Sequence, residues 1–81
     1  MQGTIVLINR KRGLAAVLTE NGEFTTFEIL GAYDIDLGDI VAGDMEELDH
    51  KSWRNVTKNE EIDVFVEDIY GTKENAIRLI S

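Results

Sequence analysis

The chain has 81 residues, with 16 acidic side chains against 8 basic ones, a net charge of -8 and a pI near 4.4. A chain of this length supports one domain and one core, burying ~60% of the surface its unfolded form exposes. Its acidity opposes phosphate backbones and anionic lipid when averaged over the surface, and the absence of cysteine excludes disulfide staples and thiolate sites.

In chain order, "GTIVLIN" (Gly3 to Asn9) is β-branched and apolar and reads as the first strand, although it is too apolar for simple alternation. Arg10, Lys11, Arg12 and Gly13 then form a basic turn, which holds all three basic residues of the first half of the chain. Leu14 to Thr19 make a second strand, Asn21-Gly22 is a strong hairpin signal, and Phe24 to Leu30 make a third. Connections this short imply three consecutive antiparallel strands. Gly31 to Asp39 reads as a loop or single turn, and strand character resumes at Ile40, with Gly43 as a bulge or bend.

The stretch "DHKSWRNVTKNEE" reads as a polar connector with a short strand around Trp53 to Val56. "IDVFVEDIY" (Ile62 to Tyr70) alternates, placing Ile62, Val64 and Val66 on one face and Asp63, Phe65 and Glu67 on the other. Gly71 starts a turn, and "NAIRLI" reads as a final strand. Asp44 and Thr57 could cap helices, but neither is followed by an i, i+3, i+4 apolar stripe. Many short strands in one small domain predict a closed or nearly closed barrel, because closure removes exposed strand edges.

The opening hairpin, Gly3 to Asn9 followed by Arg12-Gly13 and Leu14 to Val17, resembles that of cold-shock-type OB-fold domains. The resemblance covers residues 2 to 30, returns faintly at Leu37 to Val41 and at Gly71 to Leu79, and is poor over 44 to 70. Length, the strand pattern and this resemblance together predict a single all-β domain over residues 1 to 81, a five-stranded OB-type barrel; an SH3-like barrel, with similar strand lengths and connections, is the alternative. The resemblance also implies a face on which single-stranded nucleic acid stacks. At the stacking positions this chain has Leu7, Leu14 and Ala16, with Thr25 and Phe27 near the third-strand pair, so most of the aromatic platform is missing. Two or three lost platforms remove ~2–9 kcal/mol from such binding.

The nucleic-acid candidates are therefore Asn9, Arg10, Lys11, Arg12, Phe27, Trp53 and Arg54, and cold-shock-like binding through them is expected to be weak. The plain reading of the basic residues is a charged turn. Leu7, Leu14 and Ala16, with Phe65, are candidates for an apolar interaction patch, unless the C-terminal region folds over them. Trp53 either anchors an interface or plugs one end of the core.

His50 stands beside Asp49 and Lys51 with no nucleophile in a recognisable setting. "DIDLGD" (Asp34 to Asp39) puts glycine at the fifth position rather than the sixth of a calcium loop and lacks its closing glutamate, so a solvated acidic face is expected there. No zinc spacing, Walker motif or dinucleotide glycine pattern is present, and no cofactor is implied. The N-terminus lacks a basic region ahead of an apolar one, and no stretch reaches the ~20 apolar residues of a membrane span. The expectation is a soluble, cytoplasmic, non-enzymatic interaction module. Its partner is a protein, basic or a second copy of itself, the latter through a two-fold contact of the Leu7, Leu14 and Ala16 face. The alternative is a cold-shock-like binder with a weakened or displaced site.

Overall fold

In a computed structural model describing residues 1–81, six antiparallel strands close into a barrel with one helix on its outside. The strands are β1 (Gln2–Asn9), β2 (Leu14–Thr19), β3 (Phe24–Ile29), β4 (Ile40–Ala42), β5 (Asp49–Asn55) and β6 (Glu60–Gly71), and the helix α1 is Lys73–Ile80. Around the barrel the order is β1-β2-β3-β6-β5-β4, with β4 closing on β1. The first three strands form a meander, and the long 30–39 connection returns the chain to lie beside β1, so that β4-β1-β2-β3 is a Greek key. No helix is long and apolar enough to cross a membrane.

Three sequence expectations are corrected. The barrel has six strands rather than five, because the long 44–70 region supplies two full strands. The short strand expected near Trp53 runs over all of Asp49–Asn55. Its inward positions, Lys51, Trp53 and Asn55, include one large apolar residue, so a polar composition masks an ordinary in-out alternation. The final "strand" is α1. Thr72 caps it, accepting a hydrogen bond from the Asn75 backbone N–H at 3.2 Å; Glu74 stands in its first turn and Arg78 in its last, as the helix dipole favours. Ala76 and Ile80, four residues apart, are the buried pair.

The barrel interior is filled by Ile5, Ala15, Val17, Phe27, Ile35, Val41, Met45, Trp53, Ile62, Val64 and Val66. Trp53 and Phe27 meet edge to face with ring centroids 4.9 Å apart, and Trp53 Nε1 donates to the Asp44 carbonyl at 2.8 Å. The indole lies so close to Gly43 that an ideal Cβ there would sit 2.4 Å from Trp53 Cδ1, which is why the bend requires glycine.

The continuous hydrophobicity of the first strand also has a structural cause. Ile5 pairs with Val17 and Leu7 with Ala16, leaving Val6 as the extra residue of a β-bulge. Ile5 is core and Ile8 packs against it, whereas Val6 and Leu7 both line an external cleft.

Candidate functional site

The basic turn between β1 and β2 is tied into the molecule. Asn9 Nδ2 donates to the Ile80 carbonyl at 2.6 Å, and Asn9 Oδ1 accepts from the Arg12 backbone N–H at 3.3 Å. The Arg12 guanidinium donates to the Leu79 carbonyl at 3.2 Å and to Ser81 O. Asn9 and Arg12 therefore satisfy carbonyls at the C-terminal end of α1, where positive charge also suits the dipole. Arg10 pairs with Asp36 at 3.0 Å. Lys11 is the one cation of the three with no partner. Gly13 takes φ 65°, a left-handed conformation that glycine adopts without steric cost.

The helix held in this way lies against β1, β2 and β3. Leu14 and Ala16 alternate with the core residues Ala15 and Val17, so they point outward, yet both are buried. Thr26, cross-strand from Ala16, is buried with them. Of the two readings of the Leu7, Leu14 and Ala16 face, an open patch or a face covered by the C-terminal region, the second describes Leu14 and Ala16, which are covered from within the same chain, while Leu7 alone stays partly accessible.

The aromatic candidates separate as well. Phe27 and Trp53 are core side chains with no free ring face, so neither can stack on a base where it sits. Trp53 pairs with Ile62 on the inside of the wall, whereas Phe65, on the other side of the β6 pleat, is exposed between Glu28 of β3 and His50 of β5. Trp53 and Phe65 therefore occupy opposite faces of the barrel wall. Arg54 is exposed and donates to Asn59 Oδ1. His50 Nε2 lies 3.6 Å from Asp63, both exposed.

The acidic loop is not simply a solvated face. Lys58 Nζ sits 2.8 Å from Asp36, 3.1 Å from Asp39 and 3.7 Å from Asp34. Asp39 is buried and its Oδ2 also accepts from Asn55 Nδ2 at 2.9 Å and from the Asp36 backbone N–H at 3.0 Å. Burial alone would raise the Asp39 pKa, but these hydrogen bonds and the Lys58 charge outweigh it and hold the carboxyl below its usual value. Asp36 is lowered chiefly by its hydrogen bond from Lys58, and that ammonium is in turn held above the ordinary lysine range. This network fastens the 31–39 loop to the β5–β6 hairpin, and its cation is a lysine. No group of residues is arranged to hold a metal ion.

One partly open apolar stretch of the wall was, apart from Leu7 at its side, not singled out in the sequence. Register places Ile40 opposite Thr4, Thr4 opposite Leu18 and Leu18 opposite Phe24. These four outward side chains form one row across β4, β1, β2 and β3. Ile40 is 41% exposed and Leu18 37%. Beside the row, Val6, Leu7, Leu18, Phe24 and Lys73 line a cleft of about 420 Å³. The Asn21-Gly22 hairpin was the usable signal, since it sets Leu18 against Phe24.

Compared with known proteins, the chain matches no family model, no curated protein sequence and no solved structure.

Proposed function

We propose that this protein is a non-enzymatic interaction module that docks a protein partner on the apolar row of its outer wall. The row of Ile40, Leu18 and Phe24, crossed by Thr4 and continued by Val6 and Leu7, is the observation that carries this reading, because apolar side chains grouped at the surface of a small domain mark an interaction site. The Greek key and the closed barrel support an OB-type relationship, with α1 laid over the wall that cold-shock domains offer to nucleic acid. Against direct nucleic-acid binding stand the buried rings of Phe27 and Trp53, the engagement of Arg10 and Arg12 within the chain, and the net charge of -8.

A photo-reactive amino acid incorporated at position 18, and as a control at the exposed Glu47 of the β4–β5 connector, tests the reading in the cells that make the protein. Discrete protein cross-links from position 18 and none from position 47 are expected. Cross-links to RNA or DNA, or equal labelling at both positions, would overturn it.

A further inference from the structure

We infer that the outer face of the β3–β6–β5 wall binds a basic, extended segment of another protein, with one Lys or Arg side chain of that segment seated over the ring of Phe65. This surface shares only β3 with the apolar row and does not depend on it. Register fixes its layout. Phe65 of β6 stands between Glu28 of β3 and His50 of β5, and Asp63 and Glu67 flank it two residues away on the same face. Asp63 is opposite Ser52, and Glu61 is opposite Arg54. The Leu30 backbone N–H continues the ladder to the Asp63 carbonyl at 3.0 Å, which sets an exposed leucine beside that carboxylate. The helix α1 lies against β1, β2 and β3 and leaves Phe65 40% exposed.

The carboxylates of this face lack the cations that serve the acidic loop and the β4–β5 connector. Asp34, Asp36 and Asp39 gather on Lys58, and Asp44 and Glu47 on Lys51. Glu28, Glu61 and Glu67 make no ion pair, and Asp63 faces only the His50 imidazole at 3.6 Å. Arg54, on the same face, donates to Asn59. Folding gains little from such an arrangement, because an exposed ring buries little apolar area and like charges on one sheet face repel. A cationic side chain gains twice: the ring attracts it through its quadrupole, and the carboxylates around the ring supply the opposite charge. An anionic segment is repelled here, and a purely apolar one would desolvate the carboxylates with nothing to pair them.

The spacing selects an extended occupant. Outward positions of β6 recur roughly every 7 Å, so Glu61, Asp63, Phe65 and Glu67 form a line of roughly 20 Å. An extended segment laid along β6 has the same two-residue repeat, so cations at its alternate positions meet successive members of that line.

Titration of the full chain with a capped peptide alternating Arg and Ser, in low and moderate salt, tests the inference through backbone amide and Phe65 ring resonances; spermine serves as a probe of charge without a polypeptide repeat. Shifts gathered on residues 28–30, 50–54 and 61–67, with movement of the Phe65 ring protons and an affinity that falls as salt rises, are expected. Phe65→Ala should weaken binding about two- to fivefold, and Phe65→Tyr, which keeps a ring, should retain it. Glu28→Gln with Glu67→Gln should weaken it on the order of fivefold. All of these positions are exposed, and thermal melting verifies that each variant folds. Absence of binding, shifts shared equally with the acidic loop, binding indifferent to Phe65→Ala, or spermine matching the peptide in affinity and in the residues it shifts would overturn the inference. The apolar row is judged separately, by cross-links from position 18.

Discussion

β2 and β6 both lie between two neighbours in the barrel, yet β2 is dry on both faces over Leu14 to Val17, with Leu18 open beyond them, while β6 is dry on one face. In β2, Leu14, Ala15, Ala16 and Val17 are all buried, the even pair beneath α1 and the odd pair in the core. In β6, Ile62, Val64 and Val66 are buried while Glu61, Asp63, Phe65 and Glu67 face solvent. A small outward alanine at position 16 lets a helix approach the sheet closely, and a two-sided apolar strand needs that cover. Carboxylates outward on β6 keep its wall wet and leave it uncovered. The lesson is that burial in this barrel is decided twice, once by the inward pleat and once by what α1 reaches.

The contrast is sharpest between inward and outward aromatics on the uncovered wall. Trp53→Ala should cost about 3–5 kcal/mol by emptying the core against Phe27, while Phe65→Ala should cost under ~1 kcal/mol; chemical denaturation of the two variants checks the pair. Equal costs would mean that Phe65 is covered in solution.

On the covered wall the outward position should instead be sensitive. Ala16→Glu places a charge beneath α1 and should cost about 2–4 kcal/mol, with fast amide exchange over residues 73–80. A substitution tolerated without loss of protection in α1 would show that the helix does not rest on this wall.

The Asp39 network should appear as acid sensitivity. Asp36 and Asp39 both have folded pKa values below their usual 3.8, so the unfolded chain binds more protons near that pH. Their contribution is full above the usual value and is lost as pH falls through the lowered folded values. Asp39→Asn should destabilise the protein by about 1–3 kcal/mol at pH 7 through loss of a buried charged acceptor, and the gap to the parent should narrow toward pH 3. Melting temperatures taken across that range check the sign.

The smallest effect is expected where α1 is clamped. Arg12→Ala should lower stability by about 0.5–1 kcal/mol, read as faster amide exchange in the last turn of α1 with the barrel amides unchanged. Uniform exchange changes across the barrel would contradict so local a role.

Much of the barrel could be read in the residues. Asn21-Gly22 announced the β2–β3 hairpin, and the alternation in "IDVFVE" separated Ile62, Val64 and Val66 from Asp63, Phe65 and Glu67. Other features hid behind competing signals. β5 buries only Trp53 among large apolar side chains, so its alternation looked like a connector. Thr72 is a good cap, but "NAIRLI" carries the β-branched residues of a strand, and its two docking residues, Ala76 and Ile80, gain their meaning only from the wall beneath them. The basic turn was visible as charge alone; that Arg12 serves the end of a helix some 67 residues later in sequence became evident only with both in place.

By itself the sequence determined a single small β domain, the meander of the first three strands, and which residues of β6 share a face, since these follow from turn chemistry and a two-residue period. Only the tertiary structure decided that α1 occupies the β1–β2–β3 wall, that Lys58 gathers the acidic loop, and that Ile40, Thr4, Leu18 and Phe24 stand in one row. Those outcomes depend on register and on contacts between residues far apart in the chain, which no local pattern encodes.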